Sequence, residues 1–532
     1  MSDSSKKQTF LHGAALLALA TAVVKLIGAF YKIPLKMVIG DQGYGYFSTA
    51  YEIYAVLLMI STAGLPVAMS RMISQANALG HNNQVRRVYK TAQYIFLTLG
   101  IISTSLMLIF AEQLAAFQRQ PNAAIAIRSL APCALLMSVI ATYRGFFQGQ
   151  ENMRPTSVSQ VLEALFKLLI GLTLAVLVMR TLGSVPLAAG AAIMGVTIGC
   201  LFAMLYLLRK FVPAYKELVP TGETPDTYGK TLKGLLVIAV PITLGSAGLQ
   251  LLTVLETNLY MSQLLTSVGM SQETADITKG IYNMTQTIFN MPCAFIIPIC
   301  VSVIPAISAN LTLKKDDVLR ETEESAARVT GLISLPCSVG LLILSRPVMA
   351  LLGSYTADRL DLAAKLMAIL GGSIFLYAII QYTNSLLQAH GYAHVPVINM
   401  LVAGAARLVA VYFLVGNPNL GILGTPLGAA LCYLAIAAAN LLAIRKMVPQ
   451  KPRLLRNFVR AVPPAMLMGA AVVGIYWLLN YLGITSRILL CGVPIALGAA
   501  VYALSVVLFK TITREDCLLL PKGEKIAKLL RL

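Results

Sequence analysis

Long apolar stretches dominate this sequence and restrict it to folds that are stable in a lipid bilayer. About fourteen runs of roughly twenty mostly apolar residues alternate with short polar loops, and each run is long enough to cross the hydrocarbon core as a helix. No interval between them has room for a sizeable soluble domain. The pattern predicts an all-α polytopic membrane protein with spans at 11–38, 46–70, 91–111, 123–146, 157–179, 185–208, 234–259, 277–309, 329–345, 362–388, 395–415, 421–444, 460–480 and 486–509.

Composition and charge support a membrane protein rather than a nucleic-acid binder. With 57% hydrophobic and 12% charged residues, the 532-residue chain cannot form a water-soluble surface. The net charge of +20 is distributed along the loops. If both termini are cytoplasmic, 29 of the 42 basic residues face the cytoplasm and 9 face the other side. The positive-inside rule therefore predicts cytoplasmic termini and contact between the basic loops and membrane lipids, with no nucleic-acid partner.

An internal duplication indicates two related halves. The run Phe146-Phe147-Gln148 has a counterpart, Leu386-Leu387-Gln388, 240 positions later. Each run is followed by a short loop, a proline and a helix with a buried cation, Lys167 or Arg407. Parallel repeats predict two pseudo-symmetric six-helix lobes, a central cavity near the midplane and alternating access by rocking. The predicted domains are an N-terminal lobe at 1–215, a C-terminal lobe at 216–446, and two additional helices with a basic tail at 447–532.

Polar and charged residues inside the spans are the candidate functional residues. A charge at the centre of a membrane helix costs about 2.5–3.5 kcal/mol on insertion scales, so its presence needs a reason. These residues form stripes at helical spacing on helices one, two, five, seven, eight and eleven, which predicts a hydrated cavity. The candidates are the cations Lys25, Lys32, Lys167 and Arg407, the acids Glu52, Glu163 and Glu256, and the polar residues Gln250, Asn283, Gln286, Thr287 and Asn290.

Several of these candidates have a structural alternative. Lys32 lies near the outer end of its helix, where it could snorkel to the interface instead of lining a cavity. Glu163 and Lys167 are four residues apart and could form a purely structural ion pair. The polar residues of helices seven and eight could serve only to hold helices together. Arg407 has no acid on its own helix and is therefore the best single candidate for contacting an anionic ligand.

The sequence contains no pattern typical of a cofactor or a metal site. Seven of the eight cysteines lie inside predicted spans, without the spacing of a disulfide framework or a metal site. His390 and His394 are four apart but flank Gly391 in a loop and lack the glutamate of a zinc-protease helix. A nucleotide-binding GxxxxGK[ST] loop is also absent from the sequence. We therefore expect no cofactor, no metal and no ATP hydrolysis by this chain.

Several segments resemble the stage V sporulation protein B group of polysaccharide exporters, which belongs to the multidrug/oligosaccharidyl-lipid/polysaccharide flippase superfamily. The resemblance extends over nearly the whole chain, and its most specific part surrounds Gln148. The segments that carry it are 43–47 (GYGYF), 63–70 (AGLPVAMS), 144–156 (RGFFQGQENMRPT), 303–308 (VIPAIS) and 396–399 (PVIN).

The resemblance implies two six-helix lobes and movement of a lipid-linked sugar, with its pyrophosphate, from the inner to the outer leaflet of a bacterial plasma membrane. Lys25 and Lys32 match the basic positions in the first helix of the cell-wall precursor flippases, with one more residue between them. The arginines of their second and eighth helices correspond here to Leu58-Met59 and Thr287. This departure argues against lipid II itself and is compatible with a related undecaprenyl-linked glycan, for example in spore cortex peptidoglycan synthesis.

Under this interpretation Lys25, Lys32, Lys167 and Arg407 bind the anionic headgroup, and the three acids set the cavity charge or couple to an ion. An ion gradient, the membrane potential or consumption of the flipped lipid would drive transport. One alternative is a multidrug antiporter that exchanges organic cations for protons or sodium, which would favour uncompensated buried acids. A membrane enzyme such as a glycosyltransferase would instead need a large catalytic loop. The intervals between the predicted spans are too short for such a loop, so we expect no enzymatic activity.

Overall fold

The fold is entirely helical over the residues that the structure describes. A computed structural model of the chain describes residues 3–313, 316–353 and 355–513. Contacts between α-carbons divide the chain into two compact units, Met1–Asn283 and Met284–Leu532. The side chain of Lys25 lies outside the described residues.

The first unit is built around a long first helix and a central fifth helix. The first helix packs against the fifth, sixth, eighth and ninth helices, and the fifth helix also packs against the second, third and eighth. The helices are α1 (Asp3–Thr62), α2 (Leu65–Ala78), α3 (Asn82–Ile109), α4 (Ala111–Phe117), α5 (Ala124–Gly149), α6 (Arg154–Phe166), α7 (Leu172–Leu182), α8 (Val185–Lys216), α9 (Tyr228–Thr266) and α10 (Gln272–Ser302), the last of which continues into the second unit.

Helix α1 is broken at Gly40, whose φ of 71° and ψ of −179° are conformations that side chains with a Cβ rarely adopt. An ion pair spans the break, with 3.0 Å between Lys36 Nζ and Asp41 Oδ1, and both side chains are almost completely buried. The backbone of Asp41 lies against Gly280 of α10, where a Cβ would come within 1.7 Å of the Asp41 carbonyl oxygen. Gly280 therefore permits the close approach of α10 to the break in α1.

A π-helical turn over Lys167–Gly171 separates α6 from α7. Such turns insert an extra residue into the helical hydrogen-bond pattern and frequently occur at functional sites. Helix α8 approaches this turn closely, since a Cβ on Gly195 would lie 2.2 Å from the α-carbon of Gly171. The small residues at this contact fix the position of the turn, and with it the direction of the Lys167 side chain.

The second unit is organised around the helix Asp316–Ile343. This helix packs against the helices that begin at Ala357, Ile374, Leu454 and Val462. The last two helices of the chain pack against each other. The helices of this unit are α11 (Ile304–Thr312), α12 (Asp316–Ile343), α13 (Ser345–Leu352), α14 (Ala357–Gly372), α15 (Ile374–Ala389), α16 (His394–Gly416), α17 (Gly424–Met447), α18 (Leu454–Val459), α19 (Val462–Tyr481) and α20 (Arg487–Leu508).

The prediction of an all-α polytopic membrane protein is confirmed. Within the described residues, 12 helical segments are long and apolar enough to cross a membrane. The first of them, Phe30–Ala78, includes the end of the first predicted span and the whole of the second, which begins on α1 and ends on α2. The predicted eighth span falls on α10 and α11. All fourteen predicted intervals therefore coincide with helices.

The internal repeat is visible in the helix boundaries. Helix α5 ends at Gly149 and α15 ends at Ala389, 240 residues later, and the helices that follow begin at Arg154 and His394, again 240 apart. The two compact units are defined by contacts between α-carbons, and their boundary at Asn283 does not test the boundaries predicted from the repeat. The predicted division into lobes at 1–215 and 216–446, with an addition at 447–532, therefore stays a prediction.

We expect Gly280→Ala to lower the thermal unfolding midpoint of the purified protein, because its Cβ would meet the backbone of Asp41 and force α1 and α10 apart. Overpacking of this kind costs about 1–3 kcal/mol. The matched control is Gly492→Ala in α20, where a Cβ meets no atom within 4 Å and which should be neutral or stabilising. Equal midpoints for the two variants would contradict the close approach.

Candidate functional site

Two lysines of the first unit, Lys32 and Lys167, form what we term the cation pair. Lys167 is half-buried at the start of the π-helical turn, and its Nζ lies 4.8 Å from the ring centroid of Tyr51 and 5.3 Å from that of Tyr31. Aromatic faces stabilise an ammonium group by about 2 kcal/mol when water is excluded. Tyr31 is fully buried and donates a hydrogen bond from its hydroxyl to the Ala192 carbonyl at 3.1 Å, which holds its ring in place.

Lys32 is half-buried and follows Tyr31 directly on α1. Lys32 lies near enough to Lys167 for the two positive charges to interact unfavourably, and the carboxylate of Glu163 offsets part of this interaction at Lys167. Two like charges in a region of low dielectric raise the energy of the empty site, and an anion between them would remove the repulsion. The cation pair therefore has the electrostatics of an anion-binding site.

An ion pair between neighbouring helices lies beside the cation pair. Arg144 of α5 contacts Glu163 of α6, with 3.0 Å between Nη2 and Oε2, and its Nε donates to Ser159 Oγ at 3.0 Å. Glu163 thus pairs with Arg144 and not with Lys167, its neighbour on the next turn. The two lysines, Arg144 and Glu163 together comprise three cations and one acid, so this part of the first unit is positively charged.

A second polar network joins α1 to the beginning of α10. Lys279 has no solvent exposure; its Nζ lies 3.5 Å from Glu52 Oε2 and donates a hydrogen bond to Thr49 Oγ1. Asp276, one turn earlier, accepts hydrogen bonds from Tyr46 at 2.9 Å and from Gln120 at 3.0 Å. A buried ammonium is stable only with such partners.

The other predicted site residues are distributed over both units, and their convergence on one cavity stays a prediction. Lys25 has no described side chain, so Lys32 is the only one of the two predicted cations of the first helix whose side chain the structure describes. On α9, Glu256 is buried and Gln250 is half-buried; on α10, Asn283 and Thr287 are buried, Gln286 is half-buried and Asn290 is exposed; on α16, Arg407 is half-buried.

Sequence reasoning missed three charged residues of these networks. Lys279 and Asp276 lie at the beginning of the predicted span 277–309, where charges are usually solvated, although they extend the stripe of Asn283 at spacings of three and four. Arg144 was noted only as part of a motif. The helical spacing was a usable signal for Lys279 and Asp276, whereas only the structure brings Arg144 to Glu163.

The second unit contains an apolar groove with a volume of about 570 Å³. It is formed by the second part of α10 together with α12, α13, α19 and α20, and its lining residues are all uncharged. Tyr502 contributes a hydroxyl that donates to the Leu332 carbonyl at 2.7 Å, so this polar group is already satisfied. Representative lining residues are Pro292, Pro336, Gly340, Leu344, Val472 and Tyr502. We term this feature the apolar groove.

Among the described residues, no group of three or more histidine, cysteine or acidic side chains is arranged to hold a metal ion.

Comparison with known proteins identifies relatives of the whole chain. Residues 10–311 match the model of the family described as polysaccharide biosynthesis protein, and residues 253–413 match the MatE model. From Bacillus subtilis (strain 168), the uncharacterized membrane protein YabM is 26% identical over 99% of this chain and 97% of its own length. Stage V sporulation protein B of the same organism is 24% identical over 97% of this chain and 98% of its own.

The lipid II flippase MurJ of Bacillus subtilis (strain 168) is 22% identical over 92% of this chain and 94% of its own length. Among solved structures, a lipid II flippase MurJ in an inward closed conformation matches with a TM-score of 0.67 at 13% identity, covering 93% of this chain and 99% of that one. An inward-facing multidrug resistance transporter of the MATE family matches with a TM-score of 0.60 at 16% identity, covering 82% and 98%. Both share the fold of this chain.

We expect Lys279→Met to destabilise the protein by about 3 kcal/mol, since it leaves the carboxylate of Glu52 buried without its cation. Removing both charges in Lys279→Met/Glu52→Gln should restore much of the loss. Unfolding of the single and double variants, arranged as a double-mutant cycle, measures this coupling. Lys230→Met is the control, because its ion pair with Asp226 is exposed and worth less than about 1 kcal/mol. Additive effects of the two substitutions would contradict a coupled pair.

Proposed function

Since this chain belongs to the polysaccharide biosynthesis protein family, we propose that it is a flippase. Its substrate is a lipid-linked oligosaccharide or cell-wall precursor of the undecaprenyl-pyrophosphate type, which it moves from the inner to the outer leaflet of a bacterial plasma membrane by alternating access. The flippase named among its full-length relatives supports the substrate class. A role in spore cortex synthesis is part of the proposal, and the name of another relative supports it.

The cation pair is the observation that carries this proposal. A pyrophosphate headgroup cannot cross hydrocarbon unaided, because removing its charges from water is far too costly. Charge-assisted hydrogen bonds from ammonium groups can replace its hydration and counterions. Lys32 and Lys167 repel each other, and a bound pyrophosphate would reverse this unfavourable interaction. Lys25 and Arg407 belong to the proposed headgroup site as further cations.

The apolar groove supports a lipid-linked substrate over a water-soluble one. An isoprenoid tail buries apolar surface at about 0.8 kcal/mol per methylene, and an uncharged groove of about 570 Å³ can receive part of such a tail.

The alternative function is a multidrug antiporter that exchanges organic cations for protons or sodium, and the MatE match and the shared fold keep it as the second candidate. An organic cation requires an acid that is available to it. Two of the three acids predicted to set the cavity charge, Glu52 and Glu163, already pair with Lys279 and Arg144. The charge balance around the cation pair therefore favours an anionic substrate.

Energy for directional movement would come from an ion gradient, the membrane potential or removal of the flipped lipid, since the proposed role is transport and not catalysis. The proposed orientation has both termini in the cytoplasm, following the excess of basic residues in the loops on that side. A lipid in the inner leaflet would then lie on the side of the more basic loops.

A transport assay tests the role of the cation pair. Purified protein in liposomes with a fluorescent undecaprenyl-pyrophosphoryl sugar should move the headgroup between leaflets under an imposed potential or ion gradient. We expect Lys32→Ala and Lys167→Ala each to slow transport by tenfold or more, because each removes a charge-assisted contact worth about 1.5–3 kcal/mol. Lys230→Ala, which removes an exposed lysine of the same unit, is the control and should transport at the rate of the unmodified protein.

Transport of the lipid at an unchanged rate in both cation-pair variants would contradict the proposed site. Absence of lipid transport by the unmodified protein, together with gradient-driven efflux of cationic dyes that depends on Glu52 or Glu256, would instead establish the antiporter.

The apolar groove has its own test. A Cβ on Gly340 of α12 would meet no atom within 4 Å, so Gly340→Phe projects a ring into the groove without a clash at its base. We expect this variant to lose transport of a full-length undecaprenyl substrate more strongly than transport of a short-chain analogue. Gly474→Phe in α19 also has open space but does not line the groove, and it should preserve both rates. Equal losses for the two chain lengths would exclude the groove as a tail site.

A further inference from the structure

A second groove in the second unit combines apolar and basic walls. It lies where the end of α17, the following loop and α18 meet, and its volume is about 510 Å³. Leu442 and Leu455 are exposed apolar side chains in its wall, with 67% and 60% of their surface accessible. The lining contains four basic residues and no acidic ones, the basic ones being Arg445, Lys451, Arg453 and Arg456. We term this feature the basic corner.

Hydrogen bonds to a single acid of α12 hold the basic corner in place. Glu324 accepts a hydrogen bond from the Arg453 backbone N–H at 3.0 Å and another from the Asn457 side-chain amide at 3.2 Å. Asn457 in turn accepts a hydrogen bond from Arg328 at 2.9 Å. The short helix α18 is therefore fixed to the core of the unit, and the arginines project from a rigid base.

The basic corner is adjacent to a smaller polar pocket of about 370 Å³. Arg453 and Arg456 line both cavities, whereas the acids Asp317, Glu321 and Glu324 line only the smaller one. The acids therefore lie to one side of the two arginines, and the groove on the other side offers cations beside exposed leucines. This separation distinguishes the basic corner from a surface of mixed charge.

We propose that the basic corner binds an anionic phospholipid, with its phosphate on Arg453 and Arg456 and an acyl chain along Leu442 and Leu455. Guanidinium groups bind phosphate oxygens through paired hydrogen bonds. An acyl chain that covers the two leucine side chains removes apolar surface from water, which adds to the affinity. The basic loop that forms the corner is on the side predicted to be cytoplasmic, where anionic lipids attract such residues. This site goes beyond the proposed transport function, since none of its residues belongs to the cation pair or the apolar groove.

Native mass spectrometry of the purified full chain can measure this binding, with dioleoylphosphatidylglycerol as the anionic lipid and dioleoylphosphatidylcholine as the comparison. We expect the anionic lipid to bind at least tenfold more tightly, and Arg453→Gln/Arg456→Gln to remove most of that preference. The matched control is Arg209→Gln/Lys210→Gln, which removes two exposed basic residues from another predicted cytoplasmic segment and should change the affinity less than twofold.

Three further arms make the test decisive. Free glycerol 1-phosphate should not displace the lipid, and Leu442→Asn/Leu455→Asn should weaken lipid binding. If the double arginine variant does not fold, Arg456→Gln alone, which changes one exposed side chain, should weaken binding at least threefold. Equal losses in the arginine and control variants would show diffuse attraction and overturn the proposal. Displacement by glycerol 1-phosphate at a similar concentration would also overturn it, in favour of a site for free phosphate compounds.

Discussion

Compensation of buried charge is the constraint on which the first unit depends. In a bilayer, a charged side chain without a partner is too costly to keep, so each charge must be paired, hydrated or bound to a ligand. Lys36 pairs with Asp41 across the break in α1, and Lys279 pairs with Glu52 between α1 and α10. These contacts stabilise the broken helix α1, which carries Lys32. Lys32 and Lys167 differ from them because each lies near another positive charge.

The internal repeat shows how the two units have diverged around this constraint. Arg144 and Ser159 of the first unit correspond, at an offset of 240, to Asn384 and Asn399 of the second. Arg144 takes part in an ion pair, whereas Asn384 and Asn399 both hydrogen-bond to Asn440 at 2.8 Å. Amides satisfy one another without net charge. The position of Arg144 is thus charged in the first unit, whereas its counterpart in the second unit is neutral.

Much of the fold was predictable, because each membrane-spanning helix must be long and apolar enough to cross the bilayer. Both properties can be read from the local sequence. All fourteen predicted spans fall on helices, and the repeat predicted helix ends that recur 240 residues apart. The candidate site was less predictable. A stripe on one helix identifies Lys167 and Glu163 as candidates but does not indicate which side chains they contact. The ion pair of Glu163 with Arg144, and the two tyrosine rings beside Lys167, could not be predicted from the sequence. Such contacts depend on how helices pack, including the approach of Gly195 to the π-helical turn.

The central claim is that the cation pair recognises a pyrophosphate, and equilibrium binding tests it most directly. Purified protein would be titrated with a short-chain polyprenyl pyrophosphate, the corresponding monophosphate and the free alcohol. The account predicts affinity in that order, with the preference for pyrophosphate lost when Lys32 and Lys167 are both replaced by glutamine and binding of the alcohol unchanged. Equal affinity for all three ligands, or a pyrophosphate preference that persists in the double variant, would contradict it.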